Sequence, residues 1–391
     1  MKLAIKLAFK NLIGAGLRTW LNIIVLSFSF VIIIAAKGIL VGWDRQAKND
    51  MASWEIGGGQ YWNEKYDPYD PFSLEEAHSQ IPSEFSTGIG NGSMVPMLIS
   101  QGTIYPEGRM LSILIKGIDP KQKLLELPTH YLDTAISAIP AIIGTNMAKS
   151  SGLKKGDYVT LRWRDSKGTF DAADIFVAGI FVTNVPTVDV GQIWIPLERL
   201  QNMLSMPREA TVITFKDINA ERKETSDWEL MTFDTLVREI EEMIKTKSTA
   251  QSIFYIILLI LALLAVFDTQ VLSIFRRQKE IGTYVALGYT KAEVVWLFTI
   301  EGAMYAILAA VAGSIYGIPL LMWFASNGIS LGASSADYGF AIAETMYPVY
   351  SISLITGTTL AVLAATTVVS YWPSRKISKM SPTEALRGKI Q

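Results

Sequence analysis

Residues 276–294 read RRQKEIGTYVALGYTKAEV, a charged, helix-patterned stretch between two of the most apolar runs in the chain. Before it stands SIFYIILLILALLAVFDTQVLSIF (252–275) and after it WLFTIEGAMYAILAAVAGSIYG (296–317). Each flank is long enough to cross a bilayer core, which takes about 20 helical residues. The charged stretch is therefore a loop at a membrane surface. Two further runs qualify: one between Arg18 and Asp44, interrupted only by Lys37, and an uncharged one between Glu344 and Arg375. The N-terminal run is too long for a signal-peptide core and no A-x-A-like site ends it, so it reads as an uncleaved span. Trp20, Trp43, Trp296, Trp323, Tyr371 and Trp372 stand at the run ends, as interfacial aromatics do.

Half of the 391 residues are hydrophobic and 18% are charged, too apolar for an ordinary soluble domain and too polar for a wholly membranous one. The near-zero net charge gives no nucleic-acid signature. With no cysteine, disulfides, thiolate metal sites and lipidated cysteines are excluded. No GxxxxGK[ST], HExxH or GxSxG motif and no cluster of metal ligands is present, so no catalytic or metal site is expected, and no nucleotide hydrolysis by a P-loop.

Positive charge sorts by position. Lys2, Lys6, Lys10 and Arg18 precede the first run, Arg276, Arg277, Lys279 and Lys291 lie in the central loop, and Arg375, Lys376, Lys379, Arg387 and Lys389 follow the last run. The positive-inside rule puts all three in the cytoplasm. The expectation is an α-helical membrane protein with four transmembrane helices plus a large α+β extracytoplasmic domain between spans one and two. Its parts are a cytoplasmic N-terminal amphipathic helix (1–19), span one (20–43), the periplasmic domain (44–250) and span two (251–275). They continue with the cytoplasmic segment (276–294), span three (295–324), a periplasmic loop (325–348), span four (349–372) and a cytoplasmic C-terminal segment (373–391).

In the large domain the strand candidates are 112–118, 158–164, 175–182, 193–197 and 210–215. A short helix is expected within 142–157, stopped at Gly152. From Asp234 onward Leu236, Ile240, Met243 and Ile244 share a helical face, and no Pro or Gly intervenes before span two, so one helix is expected to run on into the membrane. Span two is expected to continue through RRQKEIGTYVAL, with Ile281, Tyr284, Val285 and Leu287 as its apolar face and Gly288 as its stop. Thr290 and Glu293 make a T-x-x-E capping box for the next helix. In span three, Ala309, Gly313 and Gly317 form a small-residue face for close helix contact, and Pro319 is expected to kink its outer end. Ser381, Pro382 and Glu384 mark the start of a terminal helix.

Three ionisable residues lie within spans. Lys37 is near enough to the outer interface to reach it. Asp268 is open to a structural hydrogen bond across helices or to a proton pathway, and Glu301 can pair with Arg276, Arg277 or Lys279.

Five blocks in order resemble the permease subunits of MacB-type ATP-binding-cassette (ABC) systems, most of all the lipoprotein-releasing (Lol-type) ones. They are KNLIGAGLRTWLNIIVLSFS, IKGIDP, AIIGTNMAKSSGLKKGDYVTL, RRQKEIGTYVALGYTKAEVVWLFTIEG and VVSYWPSRKISKMSPTEALR. The resemblance implies a multi-pass protein of the bacterial inner membrane that pairs with a second permease, the same or homologous, over a cytoplasmic ABC ATPase dimer. ATP and Mg would be bound by that partner, with no cofactor in this chain. Arg277, Glu280, Ile281, Gly282, Ala286, Leu287 and Gly288 would couple to the ATPase, the apolar face seating in a groove of it, and Glu301 would be the family's span-three acid. Thr283 and Tyr284 depart from a Leu-Arg pair common in the family, and Asp268 from an Asn.

The implied function is extraction of lipoproteins from the membrane and delivery to a periplasmic carrier. Acyl chains would then meet Ile33, Ile34, Leu40, Phe254, Ile257 and Leu258. The alternatives are MacB-like export of small molecules or peptides from the periplasm, or regulation of an envelope hydrolase.

Overall fold

The computed structural model describes residues 16–134, 136–216, 227–330 and 345–379. The N-terminal amphipathic helix and the helix expected from Ser381 fall mostly or wholly outside them, as does most of the 325–348 loop. The chain forms two compact units. One comprises the described parts of Met1–Trp43, Ile244–Ile329 and Tyr347–Gln391, the other Asp44–Met243 with Ser330–Met346.

Among the described residues four helices are long and apolar enough to cross a membrane. They are α1 (Leu17–Met51), α4 (Phe233–Arg276), α6 (Lys291–Asn327) and α7 (Ile352–Ser374). On α1, Ile23, Leu26, Phe30 and Ile34 recur at helical spacing and are buried with Ala262 and Val266 of α4 and Met304, Tyr305 and Ala309 of α6. Gly313 and Gly317 face α1 as the small-residue stripe requires. A Cβ at Gly317 would lie 2.7 Å from Val31 Cγ2, so only glycine lets the backbones approach this closely. α6 runs through Pro319 to Asn327 without a break. Trp43, at the end of the first apolar run, is 5% exposed, with Lys247 Nζ 4.8 Å above its ring.

In the other unit nine strands form one sheet. They are β1 (Gly59–Asn63), β2 (Met94–Ile104), β3 (Leu111–Ile118), β4 (Ile139–Gly144), β5 (Tyr158–Arg164), β6 (Phe170–Phe181), β7 (Gln192–Pro196), β8 (Val212–Phe215) and β9 (Trp228–Thr232). The order is β9-β1-β8-β2-β3-β7-β4-β6-β5, with an added pairing of β2 to β5. The end of β2 serves two neighbours: Gly102–Ile104 pair with Leu111–Ile113 of β3 on one side and with Leu161–Trp163 of β5 on the other. Strands β2, β3, β7, β4, β6 and β5 thereby close into a ring and leave no free edge among themselves.

Alternation on β5, Tyr158, Thr160, Arg162 and Arg164 outward and Val159, Leu161 and Trp163 inward, puts the latter in a core with Ile104, Ile115, Ile175, Val177, Ile193 and Ile195. Helix α2 (Thr145–Ser151) stops at Gly152 in the left-handed conformation, as expected, and α3 (Leu197–Leu204) lays Leu200 and Leu204 on the same core. β1, β2, β4 and β9 were not expected. β2 and β4 carry Pro96 and Pro140, which weaken the strand pattern, and Ile142 and Ile143 belong to β4 rather than to the helix after it.

Candidate functional site at the Arg277 junction

Span two does not continue through the charged stretch. α4 ends at Arg276, Arg277 takes φ −102° and ψ 21°, and a separate helix α5 (Gln278–Ala286) follows. The break has a cause. Outside the helical run, the Arg277 side chain turns inward, where Nη1 donates to both carboxylate oxygens of Glu301 at 2.9 Å. Its Nε donates to Glu280 Oε2 at 2.7 Å, and the guanidinium lies 4.8 Å from the Phe298 ring centre. Of the three partners open to Glu301 in sequence, the geometry selects Arg277. The side chains of Arg277 and Glu301 are 17% and 8% exposed, that of Glu280 55%. Burial works against the Arg277 charge, but Glu301 and Glu280 outweigh it and raise its pKa.

The apolar face of α5 is also spent within the chain. Ile281 is 1% exposed and packs with Ile274, Val294, Val295, Phe298 and Ile377, while Tyr284 and Val285 lean on the same cluster. Gly282 is buried beside them. This corrects, for Ile281, Tyr284 and Val285, the expectation that the apolar face is the one offered to a partner, while Leu287 of the same expected face stays exposed. What faces outward is Glu280, Thr283, Ala286, Leu287 (73% exposed) and Gly288, whose φ of +99° ends the helix. The reason is tertiary: α5 folds back on the start of α6, and that shared surface takes the apolar side chains first. The Thr290–Glu293 capping box is complete. Glu293 N donates to Thr290 Oγ1 at 3.3 Å and Thr290 N to Glu293 Oε2 at 2.8 Å, fixing the start of α6 one short turn after Gly288.

Behind the junction the helices are joined by polar groups that were not singled out from the sequence. Asn22 Nδ2 donates to Ala265 O at 3.1 Å and to Thr269 Oγ1. Gln270 and Ser370 are 1% and 0% exposed and both close on Gly302, where a Cβ would lie 2.1 Å from Ser370 Oγ and 3.0 Å from Gln270 Nε2. A search restricted to ionisable residues passes over them. Neutral polar residues inside apolar runs were the available signal. Asp268 is exposed, and its neighbour Thr269 is buried. Lys37 is exposed as well.

The six acyl-wall candidates divide. Ile33 and Ile34 are 5% and 3% exposed, Ile34 within the bundle core, whereas Phe254 and Ile257 are 57% and 51% exposed and Leu40 and Leu258 intermediate. Ile33 and Ile34 are packed within the chain, and the other four keep part of their surface free.

The Asp44–Met243 unit holds a second buried charge. Lys116 of β3 sits with Nζ 3.1 Å from Thr187 O, 3.6 Å from Glu55 Oε1 and 5.0 Å from the Trp194 ring centre. Burial lowers its pKa, and Glu55 opposes the shift. Among the described residues no group of three or more His, Asp or Glu is placed to hold a metal ion.

Residues 252–382, which contain the whole junction, match the family described as FtsX-like permease C-terminal. This part of the chain is similar to FtsX-like permeases. The permease is also similar to curated relatives named macrolide export ATP-binding/permease protein MacB. It is 26% identical to that of Sodalis glossinidius over 44% of this chain and 24% of the relative, and 26% identical to that of Vibrio parahaemolyticus over 51% and 30%. An uncharacterized ABC transporter permease of Methanocaldococcus jannaschii is 25% identical over 40% of this chain and 38% of its own length. The chain thus spans about a quarter to a third of the MacB relatives it matches. Among solved structures, the periplasmic region of MacB from Actinobacillus actinomycetemcomitans is 16% identical, with a TM-score of 0.31, covering 48% of this chain and 94% of that one. By its sequence matches the chain is MacB-like, and its four long apolar helices make it multi-pass.

Proposed function

We propose that this permease is the transmembrane subunit of an ABC transporter, non-catalytic itself and driven by ATP hydrolysis in a separate chain. The observation that carries the reading is the Arg277 junction. A matched permease segment holds a short helix by a buried ion pair and leaves Glu280, Ala286, Leu287 and Gly288 for a partner. On this reading the ATPase binds that outward face, and movement of α5 passes through Arg277 and Glu301 into α6. The protein sits in the cytoplasmic membrane with both termini and α5 inside and the Asp44–Met243 unit outside, and it works with a second permease, identical or homologous.

For cargo, export from the periplasmic side in the manner the MacB relatives' names describe is the better supported reading, since the sequence matches are to MacB and the acyl-wall residues are divided. Lipoprotein extraction with hand-over to a carrier is the second reading, supported by the five resembling blocks. Control of an envelope hydrolase is a third. The test is co-purification with the cognate ATPase in lipid nanodiscs. Leu287→Asp is expected to lower permease-dependent ATPase activity at least 10-fold while thermal unfolding of the permease stays unchanged. Full activity in Leu287→Asp and Glu280→Lys alike would reject the outward face as the docking surface. Stimulation by a triacylated lipoprotein but not by its unacylated form would move the cargo to lipoproteins.

A further inference from the structure

A groove of about 630 Å³ lies on the outward face of the closed ring of strands in the Asp44–Met243 unit, apart from the junction. The register builds it. Thr103 of β2 stands opposite Ser112 of β3 on one side and Arg162 of β5 on the other, so Ser112, Thr103 and Arg162 form one row across three strands. One step along β5, Arg164 stands opposite Phe170 of β6. The turn Pro71–Glu75 makes one wall, and the loop Asp165–Gly168 makes the other.

The walls are held in place from within. Gln101 Nε2 donates to Pro71 O at 2.6 Å, and Arg164 Nη1 donates to Glu75 Oε1 at 2.8 Å. Asp165 Oδ1 accepts from Lys167 N at 3.0 Å and from Thr169 N at 2.7 Å, and Ser166 N donates to Leu204 O. The groove is thus pre-formed, and its volume falls within the range of about 300–1,000 Å³ usual for small-molecule sites.

Its chemistry narrows the occupant. The charges lining it cancel, Arg162 and Arg164 against Glu75 and Asp165, so no net field selects an ion. The other polar groups, Ser100, Gln101, Thr103, Ser112 and Ser166, each both donate and accept hydrogen bonds, and the joined Arg164–Glu75 pair sets a donor beside an acceptor. At one end Phe170 is 60% exposed, with the Arg162 guanidinium 4.3 Å from its ring centre. An exposed ring beside many two-way hydrogen-bonding groups suits a ligand with hydroxyls on its rim and an apolar C–H face. An extended peptide is disfavoured. It would bind by adding to a strand edge, and only short free stretches are offered here, since Gly102–Ile104 of β2 and Leu161–Trp163 of β5 are paired on both sides.

We propose that this groove binds a neutral oligosaccharide. The inference is independent of the transport reading, because none of its residues belongs to the junction. The test uses the full chain in lipid nanodiscs, titrated with chitotetraose, cellotetraose and maltotetraose, and with tetra-alanine and tetra-aspartate peptides as competing classes, read by isothermal titration calorimetry. Saturable binding of at least one saccharide is expected, weakened at least 10-fold by Phe170→Ala and by Arg164→Met and abolished by Ser112→Trp, which fills the groove. Tyr158→Ala, outward on the same strand and outside the groove, should leave it unchanged, and unfolding temperatures of all variants should match the parent. Absence of saturable binding by all three saccharides, binding of a peptide alone, or equal loss in Tyr158→Ala and Phe170→Ala would each overturn the proposal.

Discussion

Glu301→Gln removes the countercharge of Arg277 while keeping size and one carbonyl oxygen. In the parent, Arg277 Nη1 reaches both Glu301 oxygens at 2.9 Å, and the two side chains are 17% and 8% exposed, so solvent screens the pair little. Removing one member of a buried ion pair costs about 3–5 kcal/mol, because the remaining charge stays desolvated. Here the carbonyl of Gln retains part of one hydrogen bond and Glu280 still holds Nε, so the loss falls to about 2–3 kcal/mol. That is roughly a 30- to 150-fold change in the folded-to-unfolded ratio. The measurement is equilibrium unfolding in bicelles of the parent, Glu301→Gln, Arg277→Met and the double variant. Glu280→Gln serves as comparator, since its carboxylate is 55% exposed and a pair of that kind contributes about 0.2–1 kcal/mol. A coupling energy between residues 277 and 301 below about 0.5 kcal/mol, the limit expected of independent sites, would refute the reasoning. So would a Glu301→Gln loss no larger than that of Glu280→Gln.

Gly302→Ala places a methyl 2.1 Å from Ser370 Oγ and 2.3 Å from Ser370 Cβ, and overpacking of this kind costs about 1–3 kcal/mol. A lowered unfolding temperature is expected, largely restored by adding Ser370→Gly, which removes both atoms; Ser370→Ala should restore less. Lys116 is a pH reporter. Its folded pKa is lowered from 10.5, so between that lowered value and 10.5 the unfolded state binds more protons and the residue's contribution to stability rises with pH. Below the folded pKa its burial penalty is fully present. As pH rises toward 10.5, unfolding midpoints should therefore climb more steeply in the parent than in Lys116→Met, and identical slopes would contradict the buried geometry.

Patterns that depend on neighbours in the chain were legible without coordinates. Four apolar runs gave four long helices, strict alternation gave β5 over its whole length, and Gly152 and the Thr290–Glu293 box mark helix ends in the structure as in the sequence. Strands that break their own pattern were not legible. β2 contains Pro96 and Gly102, and what makes it a strand is pairing with β3, which follows it in the chain, and with β8 and β5, which lie far away in sequence.

The sequence by itself determined that residues 276–294 are a charged helical connector between two apolar helices, because composition and 3.6-residue periodicity suffice for that. Which face of α5 is buried, which of three cations Glu301 holds, and whether Phe170 and Arg162 meet over a groove were decided by the tertiary structure alone. An apolar face goes to whichever surface covers it, and a buried carboxylate to the cation whose backbone can turn toward it. Ile281 meets Phe298 and Ile377 of its own chain, and Arg277 leaves the helix to reach Glu301. Neither distance is a function of separation along the sequence.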